Sequence, residues 1–178
     1  MRLRSVLTLC RVLALVAFGV CASATDQATL SAHGREVILK TVDALRAAIL
    51  SGNAEALLQH ISTTQGLTCT DTKYSYKDIT RFLVDKRSHL YMGLFDSPSF
   101  AQACGREYPP QYPAISDREF LKTANAAVTI KTVRKDWVEV TINSPVPSQY
   151  PRNWYLHKEG EAWKLAGDSV TIGSCSCG

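Results

Sequence analysis

Beyond its first two dozen residues, this chain of 178 residues has no apolar run approaching the ~18 to 20 residues that cross a bilayer. It has no internal repeat and no low-complexity tract, which sets aside solenoids and linker-like arrays. Its glycines are nowhere gathered into a phosphate-cradling loop: Gly173 to Gly178 is short, carries two cysteines and precedes no helix. No Gly-x-Ser-x-Gly turn presents a nucleophilic serine. The alternating acidic pattern and central glycine of a calcium loop are missing. Basic residues form no clustered face of the kind nucleic acid requires. No cofactor, resident metal or nucleic-acid partner is therefore expected.

What is present begins with Arg2, Arg4 and Arg11, followed by an apolar run from Val12 to Val20 and the small residues Ala22-Ser23-Ala24. This order of charge, apolar core and small-residue cleavage site predicts a secretory signal over residues 1–24. The run, roughly ten residues long, is short for a retained anchor. A lipoprotein signal would want a small residue before Cys21, where Val20 stands. Removing Arg2, Arg4 and Arg11 with the signal lowers the net charge from +4 to +1. The expectation is a periplasmic or secreted protein with a single domain over residues 25–178 and no membrane span after cleavage.

The compartment decides how the cysteines are read. Cys10 and Cys21 leave with the signal, and Cys69, Cys104, Cys175 and Cys177 remain. An even number in an oxidising compartment predicts disulfides, and four cysteines allow three pairings. Cys69–Cys104 is preferred; it closes a loop of about 35 residues, for which the chain-entropy argument gives roughly 3 to 4 kcal/mol. Cys175 and Cys177 then pair with each other or with a partner. The other pairings tie the tail back to Cys69 and Cys104.

Helical periodicity dominates the first half. Val37, Leu39, Val42, Leu45, Ile49 and Leu50 recur at three- and four-residue spacing, predicting a helix from about Gln27 to Leu50 that Ser51-Gly52 ends. Asn53 caps a short second helix through Ile61. Ser75-Tyr76-Lys77-Asp78 is a capping-box variant ahead of Ile79, Phe82 and Leu83, and Leu90, Leu94 and Phe95 continue that helix after a bend near Ser88. Ser97-Pro98 opens a helix running to Cys104. Residues 107–113 form a proline-rich loop, and Ser116-Asp117-Arg118-Glu119 starts one more helix. From Ala127 the period becomes two. Val128, Ile130 and Thr132 share a strand face, as do Val138, Val140 and Ile142. A loop with Pro145, Pro147 and Pro151 precedes a hairpin of residues 153–158 and 163–165, with Val170 and Ile172 finishing the sheet. Helices followed by an antiparallel meander of about four strands predict an α+β class, the helices packed on a curved sheet.

Two segments carry a resemblance: Leu50-Ser51-Gly52-Asn53-Ala54-Glu55-Ala56-Leu57 at the end of the first helix, and Asn153-Trp154-Tyr155-Leu156…Gly160-Glu161-Ala162-Trp163-Lys164-Leu165 near the C-terminus. With this element order the chain resembles the nuclear-transport-factor-2-like (cystatin-like) cone fold of small secreted bacterial proteins. The resemblance implies a cone of helices on a curved sheet. The fold hosts isomerases, hydratases and non-catalytic binders alike, and no catalytic residue is carried across because no family active-site motif matches here.

Four constellations bear on chemistry or recognition. His89 lies near Asp85, Tyr91 and Asp96, and a histidine with a carboxylate partner can serve as a general base. On one helix Asp85 and His89 would face each other, most simply as a surface ion pair. Asp71, Asp78 and Asp85 recur every seven residues, with Asp78 read as a cap. Cys175-Ser176-Cys177 could hold a soft metal such as Cu(I), against the simpler disulfide reading, and no histidine or methionine stands near it in sequence. Tyr108, Tyr112, Tyr150, Trp154 and Tyr155 cluster in or beside the proline-rich loops, as recognition residues or as loop anchors over the core. The expected function is a non-enzymatic, disulfide-stapled binder of an envelope protein or small ligand, possible roles being inhibitor or immunity-type factor. The alternative is a small cofactor-free hydrolase or isomerase using His89 with Asp85 or Asp96.

Overall fold

Ser31 takes the N–H of Gly34 on its hydroxyl at 3.0 Å and opens helix α1, Ala32–Ser51. The chain is described here by a computed structural model covering residues 30–69, 72–108 and 110–169. The expected signal, the Cys175/Cys177 tail and the strand residues Val170 and Ile172 lie outside the described residues. Gly52 ends α1 at φ 71°, the left-handed position anticipated for it. The buried stripe is Ile38, Val42, Leu45, Ala48 and Ile49. It shares Val42, Leu45 and Ile49 with the expected stripe but takes Ile38 and Ala48 at its edges, leaving Val37 and Leu39 half-buried and Leu50 exposed. Asn53 caps α2 (Ala54–Leu58), accepting from the N–H of Ala56.

Ser75 caps α3 (Tyr76–Val84), taking the N–H of Asp78 and donating its hydroxyl to the Asp78 carboxylate at 2.6 Å. At Asp85 the chain turns to extended backbone instead of bending onward. Its carboxylate accepts the N–H of Arg87, and Ser88 begins a separate helix, α4 (His89–Phe95), by accepting from Tyr91. The hydroxyl of Ser88 also donates to the carbonyl of Phe82, locking the break. In α5 (Ser97–Cys104) the cap is Asp96 rather than Ser97: its carboxylate takes the N–H and hydroxyl of Ser99. A single 3₁₀ turn, Gly105–Glu107, follows. Ser116 caps α6 (Asp117–Thr123).

Among the described residues the sheet has six strands in the order β2-β1-β6-β5-β4-β3. Four form the expected antiparallel meander: β3 (Val128–Arg134), β4 (Trp137–Ile142), β5 (Arg152–Glu159) and β6 (Ala162–Ser169). Two more, β1 (Leu67–Cys69) and β2 (Thr72–Tyr74), add a hairpin to the far edge, with β1 running parallel to β6. At three residues each they are too short to leave a period-two signature. The class is α+β, with helices packed on a curved sheet.

The inner face of the sheet carries Val138, Val140 and Ile142 from β4, Trp154 and Leu156 from β5, and Trp163 and Leu165 from β6, all buried. They meet α1, Leu57, Ile79, Leu90 and Phe120 in one core. One irregularity in this face has a large effect. Leu156 faces Leu165, yet Tyr155 faces Gly167, so Ala166 is an extra residue in β6. Such a bulge inverts the side-chain alternation of everything after it. Asp168, which strict alternation from Trp163 and Leu165 would send to the outer face, is instead opposite Trp154 and buried.

Candidate functional site

The residues expected to form a histidine–carboxylate site are not brought together. Asp85 and His89 occupy different helical segments, Asp85 in the turn and His89 at the first position of α4. Asp85 and Asp96 each serve a local cap or turn, and among the described residues His89 forms no ion pair with either. Its Nδ1 is buried without a hydrogen-bond partner. Asp71 lies outside the described residues, so the sevenfold acidic spacing has no structural counterpart to report. No group of metal-ligating side chains converges among the described residues.

The aromatic loop residues divide into two kinds. Trp154 is 0% exposed and is a core residue, which removes it from any contact surface. Tyr108 packs edge-on against Phe100, centroids 5.9 Å apart, over the small cluster of Met92, Phe100, Cys104 and Ala114. Tyr155 is half-buried on the outer sheet face, where burial and then the Glu139 carboxylate push its phenol up. Tyr112 and Tyr150 behave differently. Their rings stack at 3.9 Å, 34° between planes, and bridge the two proline-rich loops. A hydrogen bond with Tyr112 pushes the Tyr150 phenol up.

That stack is tied to the body of the protein. In the second loop the hydroxyls of Ser144 and Thr123 both donate to the Gln149 side-chain oxygen, at 2.6 and 3.0 Å. The hydroxyl of Ser144 also caps the N–H of Val146. Two residues after Tyr150, Arg152 turns inward. It is 5% exposed, donates from Nε to Asp117 Oδ1 at 2.7 Å and from Nη2 to the carbonyl of Ile115 at 3.2 Å, and lies over the Phe120 ring. Ile115 and Asp117 follow directly on the Tyr112 loop. One buried arginine thus holds the bases of both tyrosine loops.

Beside this pair sits Asp168, 4% exposed. Burial, and then the neighbouring Asp117 carboxylate, raise its pKa well above the ordinary range, and Arg152 only partly opposes them. Asp117 was read from sequence only as a first-turn cap residue, and neither Arg152 nor Asp168 stood out there. The signal that would have found Arg152 is its position, at the alternation that puts Trp154 and Leu156 inward. Asp168 had no such signal, because the bulge at Ala166 sets its direction.

Two further places are shaped for contact. Glu159 anchors the 62–65 turn, accepting from the hydroxyls of Ser62, Thr63 and Thr64 and from the backbone of Thr63 and Thr64. Burial acts to raise its pKa, and the hydrogen bonds from Ser62 and Thr64 win, holding it at about 2. A groove of about 390 Å³ runs between α1 and the β5–β6 hairpin, lined by Thr41, His60, Trp163 and Lys164 among others. Burial, and then the Lys164 charge, lower the His60 pKa. Cys69 and Cys104 are both buried, and neither carries a free thiol.

No family model matches the chain, and no curated protein does. Solved structures do. One is an NTF-2-like protein of unknown function from Shewanella oneidensis, at 13% identity and TM-score 0.41, covering 76% of this chain and 96% of that one. A second, from Nostoc punctiforme, is a protein of unknown function with a cystatin-like fold, at 9% identity and TM-score 0.44, covering 82% and 95%. A third is an NTF2-like protein with a cystatin-like fold from Novosphingobium aromaticivorans, at 12% identity and TM-score 0.39, covering 76% and 79%. These are the NTF2-like, cystatin-like proteins that the sequence resembles.

Proposed function

We propose that the chain is a secreted or periplasmic, disulfide-stapled binding protein of inhibitor or immunity type, which grips a protein partner through Tyr112 and Tyr150. The observation that carries this reading is the 3.9 Å stack of those rings between two proline-rich loops, both fixed at their bases by Arg152. Tyrosines held this way offer contact area at little further cost in ordering. The interior argues in the same direction, since Trp154 and Phe120 occupy the space between helices and sheet and are fully buried. The arginine-led residues 1–24 support export.

The cysteines belong to the same proposal. Cys69 sits in the main core, opposite Asp168 in the β1–β6 pairing, whereas Cys104 belongs to the separate small cluster. That separation favours pairing each with Cys175 or Cys177 over a Cys69–Cys104 bridge. Non-reducing peptide mapping distinguishes the two arrangements.

The binding reading is tested by immobilising the wild type, a Tyr112→Ala/Tyr150→Ala double variant and a Val84→Ala control, then exposing each to envelope and supernatant fractions. Val84 is 77% exposed at the end of α3, away from both loops in sequence. A defined partner should be retained by wild type and control and fall at least tenfold with the double variant. Equal retention by the double variant, or no partner for the wild type, contradicts the reading. The alternative, a cofactor-free hydrolase or isomerase using His89 with Asp85 or Asp96, gains nothing from the geometry, since no hydrogen bond or ion pair among the described residues joins them.

A further inference from the structure

The core closes over two carboxylates and one guanidinium. Asp117 is 0% exposed, Arg152 5% and Asp168 4%. Arg152 is committed to Asp117 Oδ1 and to the carbonyl of Ile115. Asp117 Oδ2 and Asp168 Oδ1 are both buried, and among the described residues no N–H or O–H reaches either. Trp154, directly opposite Asp168 in the β5–β6 register, keeps its indole N–H unpartnered as well. With both acids ionised the cluster would hold a net negative charge in an apolar interior, with a bare oxygen on each acid. One proton on the pair leaves a single negative charge that Arg152 balances, and a net-neutral cluster is far less costly to bury.

We propose that Asp168 keeps its proton and shares it as a hydrogen bond with the unpartnered oxygen of Asp117, and that this proton locks the seam between α6 and the end of β6. The groups facing Asp168 are Asp117 from α6, Arg152 and Trp154 from β5, and Cys69 from β1, whose sulfur is not a free thiol. Among the described residues only Asp117 and Arg152 bring charge to it. Losing the proton sets a second anion against Asp117 and makes both acids compete for one arginine. The strain falls on the Arg152 contacts to Asp117 and Ile115, which join α6 to β5. The seam should therefore loosen as pH rises. The proposal concerns the core alone and stands whether or not Tyr112 and Tyr150 bind a partner.

The test is a carbon-detected NMR titration of the purified protein, combined with hydrogen exchange of the amides in α6 and β6 over the same pH range. The Asp168 carboxyl should still be protonated where an ordinary aspartate has ionised. As pH rises through its titration, exchange in α6 and β6 should accelerate beyond the intrinsic pH dependence of amides. Asp168→Asn, neutral at every pH, should abolish that excess. Ionisation of Asp168 in the ordinary aspartate range overturns the shared proton. A protonated Asp168 with no excess exchange, or an excess that persists in Asp168→Asn, overturns the lock. If the variant does not fold, the wild-type titration and exchange decide alone.

Discussion

Arg152 donates to Asp117 at 2.7 Å from a position only 5% exposed, and this contact joins the start of β5 to the first turn of α6. The pair is buried, so its two halves are not independently removable. Taking away the arginine leaves a carboxylate without its partner in the core, whereas replacing both groups by apolar ones leaves nothing to solvate. Arg152→Met is expected to lose about 3 to 5 kcal/mol by urea unfolding, and Arg152→Met/Asp117→Leu to recover a large part of it. A double variant no more stable than Arg152→Met would mean that the contact with Ile115, not the ion pair, carries the effect.

Glu159 gives the stability of this protein an acid limb. Its carboxyl is held at about 2 against an ordinary 4.5, so the folded state releases this proton more readily than the unfolded chain does. The stabilisation is complete above about 4.5 and is lost as pH falls from there to about 2. Solvent screening at this partly exposed site holds its contribution to roughly 1 kcal/mol. Glu159→Gln should flatten the acid limb of the stability–pH curve and free the 62–65 turn to exchange. An unchanged acid limb would exclude Glu159 as its source.

Gly66 tests the hairpin that sequence periodicity did not reveal. It has φ 69°, and a Cβ placed there would stand 2.0 Å from the carbonyl oxygen of Tyr74. Gly66→Ala therefore suffers left-handed strain of about 1 to 2 kcal/mol together with a backbone clash. The expected result is a protein destabilised by at least about 2 kcal/mol, with lost exchange protection concentrated in β1 and β2. Uniform loss across the sheet would mean that the hairpin is not a separable unit.

Trp154 and Tyr150 separate core from surface. Trp154→Ala should cost about 3 to 5 kcal/mol through the cavity it leaves. Tyr150→Ala, on a half-buried loop ring, should cost at most about 1 kcal/mol, a change small enough to keep the binding test clean. Thermal unfolding of the two variants checks both values; comparable losses would make Tyr150 a structural anchor.

Much of the frame was legible because its signals are local. Ser75, Ser88 and Ser116 announce helix starts or breaks through the side chains that take backbone N–H groups, and Gly52 announces a stop. The alternation of Val138, Val140 and Ile142 gives a strand and its inner face directly. The break at Asp85 was harder to see, since apolar spacing continues across it while the backbone does not. The site was mostly illegible. Trp154 read as a loop aromatic until the β4–β5 pairing carried it inside, and Asp168 depends on a single inserted residue whose effect no local pattern records. Tyr112 and Tyr150, 38 positions apart, were both visible as loop tyrosines, but their stacking follows from Arg152 drawing the two loop bases together.

The central claim is that the Tyr112–Tyr150 stack is where a partner binds, and photo-crosslinking tests it most directly. A photoreactive phenylalanine analogue at position 150, irradiated in intact cells, should give one adduct of defined mass. The same analogue at position 60, in the groove beside α1, should give none, and Tyr112→Ala should abolish the adduct at 150. No adduct at 150, or one only at 60, would contradict the account and move the binding surface to the groove.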